Sequence, residues 1–180
     1  QFLDISVQAR GRADVDTAMT VLRYKSAKYS VERPLHVGAA LAGADDGRIA
    51  ALSAYGLPLG EAFQLRDDQL GVFGDPAITG KPAGDDLVEG KRTVLVALAL
   101  DAAAPADREH LDIALGGPLT VEEVDRLRAI IRASGAEDAV ERMIEKLTDA
   151  ALGAVDTAAT DERSRAALRE LAGAATRRQV

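Results

Sequence analysis

The chain has 180 residues, carries a formal net charge of -7, contains no cysteine, and is 47% hydrophobic with three Phe, three Tyr and no Trp. That length supports one sizeable core, while the acidic balance and scattered basic residues exclude an extended nucleic-acid groove. The absence of cysteine excludes a disulfide frame or a thiolate metal site and fits a cytoplasmic setting, and the longest strongly apolar run, at 94–100, falls far short of the roughly 20 residues a membrane span needs.

The apolar pattern is helical nearly throughout, and small apolar side chains favour close helix packing. A first helix is predicted over 14–43, bent near Pro34, whose missing N–H and ring disturb the hydrogen-bond ladder. Asp45 and Asp46 are placed to cap a second helix over 47–72, with Gly56 and Pro58 marking another kink. The glycines and prolines of 71–86 break both common periodicities, so this stretch is expected to contain a mobile loop. Asp85 or Asp86 opens a helix through 104, and 106–115 forms a short one that ends at Gly116-Gly117-Pro118. Thr120 and Glu123 have capping-box spacing before Val121, Val124, Leu127 and Ile131. Val140, Met143, Ile144 and Leu147 begin another apolar stripe, and 161–180 reads as an Arg-rich amphipathic helix. Without a repeat or a long linker, a single all-α domain over 1–180 is the expectation.

The chemistry concentrates in Gly60-Glu61-Ala62-Phe63-Gln64-Leu65-Arg66-Asp67-Asp68-Gln69-Leu70-Gly71-Val72-Phe73-Gly74-Asp75. On a helix Gln64 precedes Asp67 by three residues and Asp68 by four, so the amide and at least one carboxylate share a face. Adjacent carboxylates repel, and a hard divalent cation with oxygen ligands relieves that repulsion; Mg²⁺, which retains waters and takes substrate phosphates, suits such a pair. The pair also sits late in its helix, where the macrodipole opposes negative charge. Asp45-Asp46 and Asp85-Asp86 repeat the dipeptide, but each precedes a helix and reads as an N-cap. Lys81, between Gly80 and Pro82, and Lys91, just before the run that starts at Val94, flank the acidic helix on the far side of the loop. Upstream, Lys25 and Tyr29 lie one turn apart with Ser26 beside the lysine, a lysine plus hydroxyl suited to gripping phosphate. The competing reading is a solvated Asp pair with ordinary exposed lysines. Lys28 reads as a surface residue, Arg66 as an ion-pair partner or an outward-facing one, and His36 and His110 as structural. Gly60 and Gly71 either weaken their helix or make room for an apolar chain or a neighbouring helix.

Taken in order, the Lys25-Ser26 segment, the Gln64 to Asp68 segment and the Lys81 to Lys91 segment resemble the second half of the trans-isoprenyl diphosphate synthases, the polyprenyl synthetase family that includes farnesyl and geranylgeranyl diphosphate synthases. Gln1-Phe2-Leu3-Asp4 resembles the segment that precedes the lysine motif in that family. The resemblance is close over residues 1 to about 100 and implies an all-α bundle of the isoprenoid synthase type, here lacking its N-terminal helices. It further implies Mg²⁺-dependent head-to-tail condensation of an allylic diphosphate with isopentenyl diphosphate, of geranylgeranyl or similar chain length, by a cytoplasmic homodimer. Asp67 and Asp68 would be the second aspartate-rich motif and ligate metal, while Lys25, Lys81 and Lys91 would contact the diphosphate with Ser26 and Gln64 as hydrogen-bonding neighbours. The chain departs from the family at Gly71, where a third acid is frequent, and at Ser26, where threonine is common. The family's first aspartate-rich motif is not found in these residues and is expected upstream of Gln1. On that expectation the chain is a C-terminal part that needs the missing half for activity. A class I terpene cyclase and a non-catalytic partner subunit of a prenyl synthase remain the alternatives.

Overall fold

The computed structural model describes residues 14–80, 84–159 and 161–177, and among these every regular element is helical and none is a strand. The predicted helix over 14–43 is divided into three registers: α1 (Val15–Leu22), a ten-residue π-helix (Arg23–Glu32) and α2 (Arg33–Leu41). The Arg33 amide donates to the Lys28 carbonyl five residues back, and Pro34, in the first turn of α2, has no N–H with which to continue that ladder. The disturbance expected at Pro34 is therefore a widened turn that precedes it.

Asp45 accepts a 2.8 Å hydrogen bond from the Arg48 amide and starts α3 (Asp46–Phe73), a single 28-residue helix that continues through Pro58. A helical turn, α4 (Pro76–Thr79), is capped by the Asp75 carboxylate, which accepts from the Ala77 amide at 2.8 Å. The helix predicted from Asp85 through 104 is instead two, α5 (Asp85–Val88) and α6 (Val94–Ala102). They are parted at Gly90, whose φ of 70° and close approach to Gly116 leave no place for a side chain: a Cβ there would lie 2.8 Å from the Gly116 Cα. α7 (Pro105–Ala114), α8 (Val121–Ala133), α9 (Ala136–Ala158) and α10 (Glu162–Thr176) follow. Thr120 and Asp161 cap α8 and α10, accepting from the Glu123 amide at 3.3 Å and the Ser164 amide at 2.8 Å.

The described residues divide into two compact units, one drawn from 14–21 and 67–142 and the other from 22–66 and 143–177. In the first, α6, α7 and α8 pack on one another, with Leu95, Leu111, Leu127 and Ile131 fully buried. His110 on α7 meets Glu123 on α8 at 2.5 Å, a structural contact. In the second, Tyr55, Leu59, Ala151, Val155, Ala158 and Ala172 form the core. Arg48 donates to the carbonyls of Thr157 and Ala158 at 2.8 and 3.2 Å and so satisfies the open end of α9. His36 contacts Ser53 at 2.8 Å, again a structural role. Among the described residues no helix is long and apolar enough to cross a membrane.

Tyr55 is the polar anchor of the second core: fully buried, it donates its hydroxyl to the Leu168 carbonyl at 2.7 Å. Burial pushes its pKa up from 10.0 to about 12. Because the folded value exceeds the unfolded one, the stabilisation is complete below pH 10 and is lost as pH rises towards 12. Tyr55→Phe is expected to lose about 1 kcal/mol at neutral pH and to lessen the alkaline fall in stability, read by denaturant unfolding at pH 7 and pH 11.

Candidate functional site

The last turns of α3 hold Gln64, Asp67 and Asp68, all half-buried. At 100° per residue their side chains fall within about a 100° arc of the helix. Glu61, Arg66 and Gln69 of the same helix are buried. The outward-facing option for Arg66 is thus corrected: its guanidinium turns inward, and Nε donates to the Thr176 carbonyl at 3.0 Å, at the end of α10. The adverse dipole at the C-terminus of α3 is offset by two arginines of α8. Arg128 Nε donates to the Val72 carbonyl at 2.6 Å, and the Arg132 guanidinium lies 4.5 Å from the centre of the Phe73 ring. The dipole therefore has arginine partners and does not by itself call for a metal. Two half-buried carboxylates fit a hard cation that keeps waters and takes further oxygens from a ligand. Among the described residues no three metal-capable side chains gather, so an all-protein cage is not formed.

Lys25 and Ser26 lie on the π-helix, Lys25 exposed and Ser26 half-buried, immediately before the fully buried Ala27. Ala27 abuts α3 at Gly60, where a Cβ would lie 2.7 Å from the Ala27 Cα and 2.8 Å from its carbonyl oxygen. Of the two sequence readings of Gly60, room for a neighbouring helix is the one observed. Two ion pairs border this seam: Arg23 Nε meets the buried Glu61 carboxylate at 2.5 Å, and Lys28 Nζ meets the buried Glu32 at 3.2 Å. Lys28 is accordingly an ion-pair partner rather than a simple surface lysine. π-Helical turns recur at functional sites because the added residue per turn re-aims side chains, and here the re-aimed segment is the one that carries Lys25.

Lys91 follows the α5 turn. Its ammonium lies 2.5 Å from Asp86 and 2.8 Å from Glu89, and its amide donates to the Asp86 carbonyl at 3.0 Å. Burial works to lower the Lys91 pKa, but the hydrogen bonds and charges of Asp86 and Glu89 outweigh it and hold the ammonium above its ordinary value. The capping role read for Asp86 is corrected: α5 has no side-chain cap, and the Asp86 carboxylate is buried against Lys91. It also fills the space beside Gly71, where a Cβ would overlap the carboxylate. Capping preference hid this role, although the Asp86 to Lys91 spacing across Gly90 was available as a signal. Lys81 and the Gln1 to Asp4 segment lie outside the described residues, and of the expected loop the first three positions, Gly71 to Phe73, remain helical.

A family profile described as polyprenyl synthetase matches residues 1–133. A geranylgeranyl diphosphate synthase of Mycobacterium tuberculosis is 34% identical over 159 residues, covering 88% of this chain and 45% of that protein. The crystal structure of a geranylgeranyl pyrophosphate synthase from Corynebacterium glutamicum, complexed with isoprenyl diphosphate and magnesium, superposes with a TM-score of 0.96 at 47% identity, covering 99% of this chain and 51% of that one. A polyprenyl synthase from Caulobacter crescentus, complexed with calcium and isoprenyl diphosphate, gives a TM-score of 0.88 at 33% identity over 99% of this chain and 54% of that one. The chain thus spans about half the length of the relatives it matches.

The Gly60 seam admits a direct check. Gly60→Ala must push the π-helix away from α3 and is expected to lose about 1 to 3 kcal/mol, whereas Gly38→Ala, exposed in α2 with nothing within 4 Å of its new Cβ, is expected to gain about 0.5 to 1 kcal/mol. Urea unfolding of the two variants reads both signs.

Proposed function

The chain belongs to the polyprenyl synthetase family, and we propose that it forms part of an isoprenyl diphosphate synthase of geranylgeranyl type, supplying the second metal arm and the lysines for an allylic diphosphate. The observation that carries this reading is the half-buried Asp67-Asp68 pair displayed with Gln64 on α3. When bound, Mg²⁺ would neutralise charge on the diphosphate. Asp67 and Asp68 would hold the ion through their carboxylate oxygens. On the family resemblance alone, Lys25, Lys81 and Lys91 would hold diphosphate oxygens as point charges, with Ser26 and Gln64 donating hydrogen bonds to them. These fixed charges stabilise the negative charge that develops as the allylic C–O bond breaks. The double bond of isopentenyl diphosphate then attacks the allylic cation, and loss of a proton leaves the elongated diphosphate. Homodimerisation, a cytoplasmic setting and a single domain over 1–180 are carried as proposals on the same resemblance. A non-catalytic partner subunit is the second reading, favoured by Gly71 in place of a third acid; a class I cyclase would differ by not requiring isopentenyl diphosphate.

Calorimetry of the 180-residue chain with inorganic pyrophosphate is expected to show binding that Mg²⁺ strengthens. Asp67→Ala is expected to abolish that strengthening, and Asp45→Ala to leave it intact while losing about 1 kcal/mol of stability with its cap. Equal behaviour of the two variants would remove the metal assignment. With geranyl or farnesyl diphosphate, labelled isopentenyl diphosphate and Mg²⁺, the chain alone is expected to give no elongated product, because two carboxylates are too few to hold a metal cluster. Elongation by the purified chain would overturn that requirement for further ligands.

A further inference from the structure

We propose that Asp86 is the positioning residue for Lys91, holding its ammonium ready for a diphosphate, and that Gly71 is glycine because the Asp86 carboxylate occupies the space a side chain would need. The inference rests on the proposed function for the role of Lys91, and on geometry for the rest. Asp86 is 6% exposed, and a carboxylate so buried requires a partner that stays. Lys91 supplies it from both ends of the residue: Nζ lies 2.5 Å from Oδ1, and the backbone amide donates to the Asp86 carbonyl at 3.0 Å. The turn between them is fixed by Gly90 packed on Gly116, whose amide donates to the Leu87 carbonyl at 2.9 Å.

The two carboxylates on the ammonium differ in kind. The Asp86 side chain is 8% exposed and the Glu89 side chain 51%, while Lys91 itself is 36% exposed. A phosphate oxygen arriving from solvent can take the place of Glu89 and leave Asp86 behind the ammonium. A lysine side chain gives up much rotamer freedom when fixed. Asp86 moves that loss from binding to folding, which is preorganisation in its ordinary sense. Gly71 belongs to the same device. In a helix interior glycine is less stable than alanine, and here a Cβ would fall against Oδ1, Oδ2 and Cγ of Asp86, with Oδ1 at 2.9 Å. A side chain at 71 must therefore displace the group that holds Lys91.

The test is a double-mutant cycle on the 180-residue chain with Mg²⁺ and inorganic pyrophosphate, followed by calorimetry, with acetic anhydride labelling of lysines read by mass spectrometry as the ligand-free measurement. Lys91→Ala and Asp86→Asn are each expected to weaken pyrophosphate about tenfold, and the double variant to be no weaker than Lys91→Ala alone. Without ligand, Asp86→Asn and Gly71→Ala are expected to raise acetylation of Lys91 several-fold while Lys146 is unchanged. Wild-type affinity in Asp86→Asn beside a weakened Lys91→Ala overturns the inference and leaves the proposed function standing. So do losses that add in the double variant, the mark of a merely structural Asp86, and so does unchanged acetylation in Asp86→Asn. Wild-type affinity in Lys91→Ala, or no pyrophosphate binding by the wild-type chain, overturns the proposed function of Lys91 and the inference with it; raised acetylation in Asp86→Asn then identifies the function, rather than the ion pair, as the failing part.

Discussion

Glycine in α3 lets neighbouring groups approach the backbone of that helix more closely than a side chain would permit. At Gly60 the π-helix comes in until Ala27 touches backbone, and at Gly71 the Asp86 carboxylate takes the space of a Cβ. Each vacancy sacrifices helix propensity at an interior position, a loss of roughly 0.5 to 1 kcal/mol. The first is offset by backbone-level packing and the second by an ion pair that a bulkier residue would displace. Both lie in the helix that carries Gln64, Asp67 and Asp68, so the same choices that set its packing also set what surrounds its polar residues.

Charge is distributed by a consistent rule around these contacts. The buried carboxylates Glu32, Glu61 and Asp86 are each matched by a nearby cation, Lys28, Arg23 and Lys91 respectively. A buried carboxylate left without its partner would destabilise the fold by several kcal/mol. Asp67 and Asp68 are only half-buried, so solvent and a solvated cation reach them, which is the condition their proposed role requires. The arginines of α8 at the end of α3 fit the same rule, because they offset the helix dipole that would otherwise weigh on two adjacent acids.

Much of this was legible in the residues. The all-α class, the α3 cap at Asp45 and the α8 cap at Thr120 follow from local rules, because capping and helix periodicity act within a few residues. The family was legible from the order of its polar segments. The π-helix was not, since a widened turn depends on what packs against it and has no residue signature comparable to a proline bend. The break at Gly90 is not legible locally because it depends on Gly116, 26 positions away. Asp86 reads locally as a cap for a similar reason: Asp before a helix favours that role, and only burial against Lys91 and beside Gly71 reverses it. Arg66 turned inward towards Thr176 by a contact that no spacing within its own helix encodes.

The most direct measurement for the central claim uses Mn²⁺ in place of Mg²⁺, with inorganic pyrophosphate, and reads paramagnetic broadening of backbone amides by nuclear magnetic resonance. Asp-Asp occurs at 45–46, 67–68 and 85–86, so composition alone does not distinguish these places. Broadening is expected to centre on Asp67 and Asp68, with Asp45 and Asp46 unaffected. Equal broadening at 45–46 and 67–68, or none at 67–68, would contradict it.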